Sequence, residues 1–401
     1  MKLRIGPGAF VAAAFIGPGT VTTATLAGAN FGYVLIWALV FATVATMVLQ
    51  DMSARLGVAG RLGLGEALVR SAGSAPIKWA IGSLVFAALM IGNIAYEGGN
   101  LGGGALGVSA LLGENTANQN MIVLALALVA GIILIIGEYK WLERTLIALV
   151  LIMCAAFIFG AIIVAPSLSG LAYGLVPRIP TGAEITVIAL IGTTIVPYNL
   201  FLHAAAARQK WQGAYSLSEA RWDSGFSIGF GGLVSILIVA TAATTLFKSG
   251  ADVKNASDMA RAIEPAFGSA ARYFVGIGLL AAGLTSAITA PMATGYALSE
   301  LIGGDEAARK KWFKVTALIV LVVGAGLNLG DIDKTELILI AQFANGLLLP
   351  VIGVFLLWVM NRSSLLGEHV NGRVSNIVGG AAVLITFVLG LRSILRALGV
   401  M

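Results

Sequence analysis

Cysteine, histidine and charged residues are scarce in this chain of 401 residues, and each scarcity excludes a class of protein or site. Cys154 is the single cysteine, so neither an internal disulfide nor a site built from paired thiolates can form. His203 and His369 are the only histidines, too few for a multi-histidine zinc centre. Charged residues make up 11% of the chain and hydrophobic residues 58%, which excludes an ordinary soluble domain.

Long apolar runs take up most of the chain. Runs of about 18 residues or more are long enough to cross a bilayer as helices. We predict an all-α integral membrane protein of about eleven transmembrane helices, with no soluble domain between them. The predicted spans are 5–30, 33–54, 77–110, 120–137, 144–166, 184–207, 226–247, 271–302, 313–330, 335–360 and 375–398. The connection at 250–270 is long enough for a short surface helix.

The distribution of positive charge predicts the orientation. Lys2 and Arg4 precede the first run, which lacks a small-residue cleavage site and is therefore predicted to be a helix rather than a signal peptide. With the N-terminus in the cytoplasm, most of the 25 Lys and Arg residues fall in cytoplasmic loops, including the cluster at 309–314. These loops account for the excess of basic residues, so the positive net charge does not indicate nucleic-acid binding. The short loops favour a bacterial inner (plasma) membrane.

Two of the apolar runs are interrupted. The first break is Gly17-Pro18-Gly19-Thr20, and the second is Val196-Pro197-Tyr198-Asn199. Proline lacks the N–H and clashes with the preceding turn, so each break releases backbone polar groups. Within a bilayer such groups persist only against protein or a polar cavity. Two Pro-interrupted spans at corresponding places in two halves indicate the binding site of a secondary transporter.

The breaks fall in the first and sixth spans, so five helices separate them and the second unit starts in the opposite orientation. This arrangement predicts a LeuT-like 5+5 inverted repeat with an additional final helix. We predict a single polytopic membrane domain over 1–401, with unit one at 1–170, unit two at 180–362 and the additional helix at 373–401.

The broken helices would give the site its electrostatics. Helix N-termini near Thr20 and Tyr198 would present N–H groups, and helix C-termini near Ile16 and Ile195 would present carbonyls. Such a crevice can hold a cation, an anionic group or a neutral polar solute, and the backbone alone does not choose among them.

Polar residues in the third span form a second candidate group. Asn93, Glu97 and Asn100 lie on one helical face, by their spacing of three to four residues. An intramembrane carboxylate is costly, so Glu97 is either a proton carrier or cation ligand, or a protonated structural residue. The glycines that follow it, over 98–107, predict close helix packing rather than a phosphate loop.

Other polar residues fall near the second break and in later spans. His203 follows the second break by about one turn and either passes a proton toward the cytoplasm or only packs. Gln342 and Asn345 in the tenth span add neutral oxygen donors. Hydroxyls of the eighth span are expected to bond backbone carbonyls rather than substrate: Thr285, Ser286 and Thr289.

Six motifs along the chain resemble those of a known family. The chain is similar, in order and spacing over nearly its whole length, to NRAMP-type (natural resistance-associated macrophage protein) divalent metal transporters. This resemblance implies a LeuT-like fold and proton-coupled import of divalent metals such as manganese or iron. The motifs that carry it are GPGTVTTATLAGANFGY, LQDMSARLGVAG, NIAYEGGNLGGGALG, VPYNLFLHA, AAGLTSAITAP and AQFANGLLLP.

The chain departs from the family where the family binds metal. The family's first break reads Asp-Pro-Gly-Asn, with both Asp and Asn binding metal, and its second break carries a Met whose sulfur is a ligand. Here the positions of these three ligands hold Gly17, Thr20 and Val196. Other positions match: Gln342 falls at the family's tenth-span glutamine, and His203 at its sixth-span histidine. Glu97 and Asn100 align with an acidic pair on the proton route, of which only Glu97 is acidic here. The chain is therefore identified as a divergent member.

The resemblance implies a substrate site at Gly17, Thr20, Thr193, Val196, Asn199 and Gln342, and a proton route through Glu97, Asn100 and His203. Metal ligands would be the backbone carbonyls of Gly17 and Thr193 with the side chains of Thr20 and Gln342.

Three functions are open at this stage. The first is a secondary active transporter that works by alternating access, couples to protons and moves a metal cation with altered selectivity. The second is a transporter of a small neutral or anionic organic solute at the same site, with the solute's polar end on the half-helix N-termini. The third is a transport-inactive membrane sensor or scaffold. No enzyme, cofactor or nucleic-acid partner is predicted, and the oligomeric state is unknown.

Overall fold

Helices account for all the regular secondary structure in the part of the chain that the structure describes. A computed structural model describes residues 16–113, 118–137, 140–211, 216–247, 250, 252–303 and 305–397. Most of the first half of the first predicted span lies outside these residues.

Twelve longer helices are numbered here: α1 Pro18–Phe31, α2 Ile36–Val58, α3 Ala75–Leu112, α4 Gln119–Ile136, α5 Lys140–Val164, α6 Glu184–Thr194, α7 Pro197–Lys210, α8 Leu217–Thr245, α9 Ala271–Ile302, α10 Glu306–Leu327, α11 Lys334–Met360 and α12 Arg373–Ala397. The shorter helices are Leu64–Ser71, Leu168–Gly174, Ala256–Ala260, Glu264–Phe267 and Ser363–Leu366, with 3₁₀ turns at Gly268–Ala270 and Gly367–His369.

Nine helical segments within the described residues are long and apolar enough to cross a membrane, with α6 and α7 counted together. The two other predicted spans fall short of that criterion for different reasons. The first is described only from Ile16, and α10 opens with a charged segment. The all-α membrane fold predicted from the sequence, with breaks in the first and sixth spans, is confirmed.

The bounds of one span were predicted poorly. The seventh span was placed at 226–247, whereas α8 begins at Leu217. The extra turns, 217–225, carry polar residues, so hydropathy misses them, and they expose the large side chain of Trp222 (67% exposed). Short helices lie in the connection at 250–270, which is long enough for them, although Ala256 and Met259 of the first are buried rather than on the surface. The helix Leu64–Ser71 was not predicted.

The glycine run of α3 is a packing surface, as predicted. A Cβ on Gly103 would lie 2.2 Å from Cβ of Pro18, which is at the first break. A Cβ on Gly283 of α9 would lie 2.7 Å from backbone atoms of Gly104. Small residues let the helices approach to backbone contact, and this approach brings α3 against both the first break and α9.

A second close approach joins α6 to α11. A Cβ on Gly192 would lie 2.1 Å from the carbonyl oxygen of Gln342, and a Cβ on Gly346 would lie 2.6 Å from the carbonyl oxygen of Ile188. These contacts fix the part of α11 that carries Gln342 beside the end of α6. The two breaks, α3 and α11 therefore surround a common centre.

Candidate functional site

The first break is an extended residue followed by a helix start. Gly17 has φ −94° and ψ −176°, and Pro18 occupies the first helical position of α1. Proline suits that position because it has no N–H to leave unsatisfied. The carbonyl of Gly17 accepts hydrogen bonds from the N–H groups of Thr20 (3.1 Å) and Val21 (3.3 Å). This carbonyl, an implied metal ligand, is thus already used in starting α1.

The second break separates α6 from α7 by two residues whose backbone is not helical. Ile195 has φ −100° and ψ 79°, and Val196 has φ −83° and ψ 117°. A continuous helix would pair the carbonyl of Thr193 with the N–H of residue 197. Because Pro197 has no N–H, that carbonyl has no partner one turn ahead. The break therefore releases one of the carbonyls that the family resemblance implies as a ligand.

The two breaks contact each other through hydroxyl groups. Oγ1 of Thr20, in the first turn of α1, lies 2.9 Å from Oγ1 of Thr193, in the last turn of α6. These residues are 173 positions apart in the chain, and both are buried. The structure thus brings together the hydroxyls that the sequence placed at the substrate site.

Three amide side chains on the helices that form and border the breaks each have one buried atom without a hydrogen bond. Gln342 packs against the first break, since a Cβ on Gly19 would lie 2.2 Å from its Nε2. Its Oε1 is buried without a hydrogen bond, and so are Oδ1 of Asn199 and Nδ2 of Asn345. Leaving a buried polar group unsatisfied costs about 1–3 kcal/mol, so such groups persist where water or a ligand can reach them.

The remaining residues of the second break are apolar or aromatic. Val196 is 1% exposed and offers only methyl groups at the position of the family's methionine. Tyr198 packs its ring edge-on against Tyr96 of α3, with ring centroids 5.5 Å apart and an interplanar angle of 64°. Because Tyr96 precedes Glu97, this ring pair joins the second break to the helix that carries the intramembrane carboxylate.

Glu97 lies deep between helices without a partner. It is 0% exposed, and neither carboxyl oxygen makes a hydrogen bond of normal geometry. Its side chain packs against α10, where a Cβ on Gly324 would lie 2.6 Å from Cβ of Glu97. No ion pair involves this carboxyl among the described residues. Asn100, one turn on, is also buried with both amide atoms unpartnered.

Neighbouring polar residues are paired. The Asn93 amide donates to Oγ1 of Thr294 in α9 at 2.5 Å. Thr285 and Thr289 donate to backbone carbonyls one turn back, at 2.7 and 2.8 Å, which confirms the expectation for these hydroxyls. Ser286, in contrast, is buried with its hydroxyl unpartnered, so the expectation is wrong for this residue.

His203 is held on both ring nitrogens. Nδ1 lies 2.8 Å from Oε1 of Gln50 in α2, and Nε2 lies 3.2 Å from Oγ of Ser224 in α8. All three residues are buried. Gln50 and Ser224 were not singled out from the sequence, since a neutral residue inside an apolar helix gives no signal of its partner.

Beyond His203 the side chains become charged. Asp51 receives hydrogen bonds from Arg55 (2.8 Å) and Arg221 (2.7 Å). At the end of α7, Arg208 lies 3.0 Å from a carboxyl oxygen of Glu66 and 3.8 Å from one of Glu300. The convergence of Glu66 and Glu300, which lie on two separate segments, on Arg208 was not predicted from the sequence.

The donor set at the breaks is neutral. Among the described residues, no group of three or more His, Cys, Asp or Glu side chains could hold a metal ion. The breaks offer hydroxyl, amide and carbonyl oxygens, which suit hard cations and hydrogen-bonding solutes, and no sulfur.

The comparisons with known proteins decide the family. The family model described as "Natural resistance-associated macrophage protein-like" matches residues 8–396. The chain belongs to the Nramp family. It is 28% identical over 403 residues to the divalent metal cation transporter MntH of Yersinia pestis, covering 98% of this chain and 95% of that protein. The family resemblance based on the sequence motifs is confirmed.

Solved structures show the same fold. A manganese transporter from Eremococcus coleocola superposes with a TM-score of 0.77 at 23% identity, covering 97% of this chain and 85% of that one. The transporter MhsT, in complex with L-phenylalanine, superposes with a TM-score of 0.65 at 15% identity, covering 97% and 99%. Both neighbours support the LeuT-type arrangement of an integral membrane protein.

Proposed function

We propose that this Nramp member is a secondary active transporter that moves a metal cation across the membrane by alternating access and is driven by protons. The observation that carries the proposal is the contact between the two breaks through Thr20 and Thr193, at 2.9 Å. Around it lie the unpartnered amide of Gln342 and the carbonyl of Thr193 freed by Pro197. A bound cation would satisfy these oxygens.

The donor set favours a hard cation that keeps part of its water shell. A carboxylate 4 Å from a monovalent cation contributes roughly 4 kcal/mol at an effective dielectric of 20, and twice that for a divalent ion. Gly17 cannot supply this attraction, and Val196 cannot supply the soft ligand that favours transition metals. We therefore expect weaker metal binding than a site with Asp and Met would give, and little preference for manganese over magnesium.

The proton would travel along α3. Glu97 is buried without a counter-charge, and an isolated ionised carboxylate in that position is costly, so protonation and deprotonation would change its interactions strongly. The ring contact between Tyr96 and Tyr198 gives a direct mechanical link from this helix to the second break. His203 and Asn100 would extend the route, with His203 on the side of Asp51.

Arg208 would close the cytoplasmic side. It stands at the far end of α7 from the second break and joins Glu66, which precedes α3, to Glu300, at the end of α9. Glu300 also accepts a hydrogen bond from the N–H of Gly65 at 3.2 Å. We call the contacts of Arg208 with Glu66 and Glu300 the cytoplasmic latch. Because α7 is continuous from Pro197 to Lys210, breaking these contacts would allow the helix to move as one body.

The membrane placement follows from exposed aromatic residues. Trp79, Trp222 and Trp312 are 77%, 67% and 44% exposed, and each lies near the N-terminal end of its helix. Tryptophan is enriched at membrane interfaces. In the proposed orientation, with the N-terminus in the cytoplasm of a bacterial inner membrane, all three lie at the cytoplasmic interface, where most of the lysines and arginines also lie.

A second candidate function is transport of a small neutral or anionic organic solute. The observation that favours it is the neutral lining of the breaks, which offers hydrogen bonds but no charge to offset that of a metal ion. Helix starts at Pro18 and Pro197 would supply positive dipole ends to a polar or anionic group.

Uptake into proteoliposomes separates the candidates. Manganese, magnesium and a panel of organic solutes would be offered with and without an inward proton gradient. Proton-stimulated uptake of a divalent cation supports the proposal, and uptake of a solute with no cation flux supports the second candidate. Absence of flux and binding for every compound would refute both and favour a sensor or scaffold.

A further inference from the structure

The apolar segment of helix α10 is too short to span the hydrocarbon core of a bilayer. It runs over Glu306–Leu327, but its apolar part is confined to 315–327. Thirteen residues at about 1.5 Å each cover roughly 20 Å, against a hydrocarbon core of about 30 Å. The turns before it hold a basic cluster: Arg309, Lys310, Lys311 and Lys314.

The lipid-facing side of α10 continues directly into part of this cluster. Val315, Ile319 and Val322 are 38%, 44% and 65% exposed and form an outward stripe at helical spacing. Lys311 lies one turn before Val315 on the same stripe, and Trp312 beside it is 44% exposed. Aromatic rings and cations are typical of the headgroup layer, so this end of the lipid-facing stripe is expected to lie there.

The rotation of the helix is fixed by packing, so these side chains cannot turn away from the lipid. The ring of Phe313 stacks against Tyr296 of α9 with centroids 4.9 Å apart. A Cβ on Gly295 would lie 2.8 Å from the Phe313 ring and from its carbonyl oxygen. Thr316 and Val320, on the same side as Phe313, are buried.

The cations of the cluster differ in their partners. Lys310 points to another side of the helix and pairs with Glu306 at 2.7 Å. No ion pair is formed by Lys311 or Lys314 among the described residues, and both are exposed. These two lysines are three residues apart and therefore neighbours on the helix surface, beside the lipid-facing stripe, and neither has an acidic residue one turn away.

We propose that Lys311, Lys314 and Trp312 bind the phosphate group of an anionic phospholipid in the leaflet at which α10 begins. The two cations would hold the phosphate, and the indole ring would lie among the glycerol and upper acyl atoms. The proposal rests on the proposed function only for naming this leaflet the cytoplasmic one. The bound lipid sets the depth of α10, since its apolar part is too short to do so alone.

The depth of α10 matters to the transport site because this helix packs on α3. Gly324 contacts Glu97, and the Asn328 amide donates to the carbonyl of Gly98 at 2.9 Å. A shift of α10 along its axis would change the surroundings of the carboxylate. Anionic lipid would thus act on transport from outside the substrate site.

The test compares single-charge variants of neighbouring lysines. The purified full chain, its Lys311→Gln variant and its Lys310→Gln variant are mixed in detergent with phosphatidylglycerol or phosphatidylcholine. Thermal unfolding midpoints are recorded, and retained lipid is counted by native mass spectrometry. We expect phosphatidylglycerol to raise the midpoint of the wild type and of Lys310→Gln. Lys311→Gln should lose at least about half of the shift and of the retained lipid.

Three results would overturn the proposal. They are equal effects of the two lipids, equal losses in the two variants, and a shift of the same size with inorganic phosphate, which would indicate a free-anion site. These measurements need no substrate, so the proposal can fail while transport stands, and transport can fail while lipid binding stands.

Discussion

The centre of the molecule and its cytoplasmic end differ in whether their polar groups are paired. At the end of α7, charges are paired, with Arg208 between Glu66 and Glu300. At the breaks and in α3, Oε1 of Gln342 and the Glu97 carboxyl are more deeply buried, yet neither has a charged partner or a hydrogen bond of normal geometry. Pairing is the rule for buried polar groups, so the unpaired ones mark where a cation, a proton or water must enter.

This difference separates stability from function. The paired cytoplasmic charges hold three segments together and would be costly to disrupt singly. The unpaired central groups reduce stability as they stand, so removing one should change transport more than folding. Substitutions in the two regions should therefore differ in which measurement they affect.

The largest expected effect is on proton coupling, from Glu97→Gln. The amide keeps the shape and burial of the side chain but cannot give up a proton, so we expect uptake to lose its stimulation by a proton gradient, by at least about tenfold. Cation binding should be retained. A variant that loses only expression or folding, with coupling intact in the surviving protein, would assign Glu97 a structural role.

The next effect should come from Arg208→Ala at the cytoplasmic latch. It leaves Glu300, 11% exposed, without its cation, and we expect a lower unfolding midpoint and an opened cytoplasmic side. Maleimide labelling of Ala204→Cys in a Cys154→Ala background should become several-fold faster. Arg70→Ala is the matched control, because Arg70 is 58% exposed and contacts only Glu66. Equal effects of both variants would contradict the latch.

A smaller effect is expected at the aromatic contact. Ring pairs of this kind contribute about 0.5–1.5 kcal/mol beyond burial, so Tyr198→Leu should lower the coupled uptake rate by roughly threefold to tenfold, whereas Tyr198→Phe should retain it. A double-mutant cycle with Tyr96→Leu measures the link, because non-additive losses are expected only if the rings act together. Additive losses would show that the rings act independently.

The smallest effect should come from an exposed pair on the opposite face. Asp252 beside Lys254 raises the pKa of that lysine above its usual range, and both side chains are more than 70% exposed. Such pairs contribute little in water, so Lys254→Gln should leave uptake and the unfolding midpoint unchanged within error. A clear drop in uptake or in the unfolding midpoint would show that exposed ion pairs contribute to transport or stability, which is not expected here.

The features that depend on hydrophobic periodicity and on proline could be predicted from the sequence. The spans, the breaks at Pro18 and Pro197, and the packing role of the α3 glycines follow from local rules. The partners of His203 and Tyr198 do not, because each lies on another helix far along the chain. The start of α8 was missed because its first turns are polar, and the latch was missed because a loop arginine gives no sign of which carboxylates it meets.

In the proposed function, the breaks form a cation site whose selectivity depends on the absence of the carboxylate and the sulfur that the family has there. The most direct test is competition between manganese and magnesium for uptake by the wild type and by Gly17→Asp combined with Val196→Met. The added carboxylate alone offers roughly 8 kcal/mol to a divalent ion at 4 Å and an effective dielectric of 20, an upper limit that excludes the cost of desolvation. We predict little preference in the wild type and a strong preference for manganese in the double variant. Strong manganese selectivity in the wild type, unchanged by the two substitutions, would contradict the account.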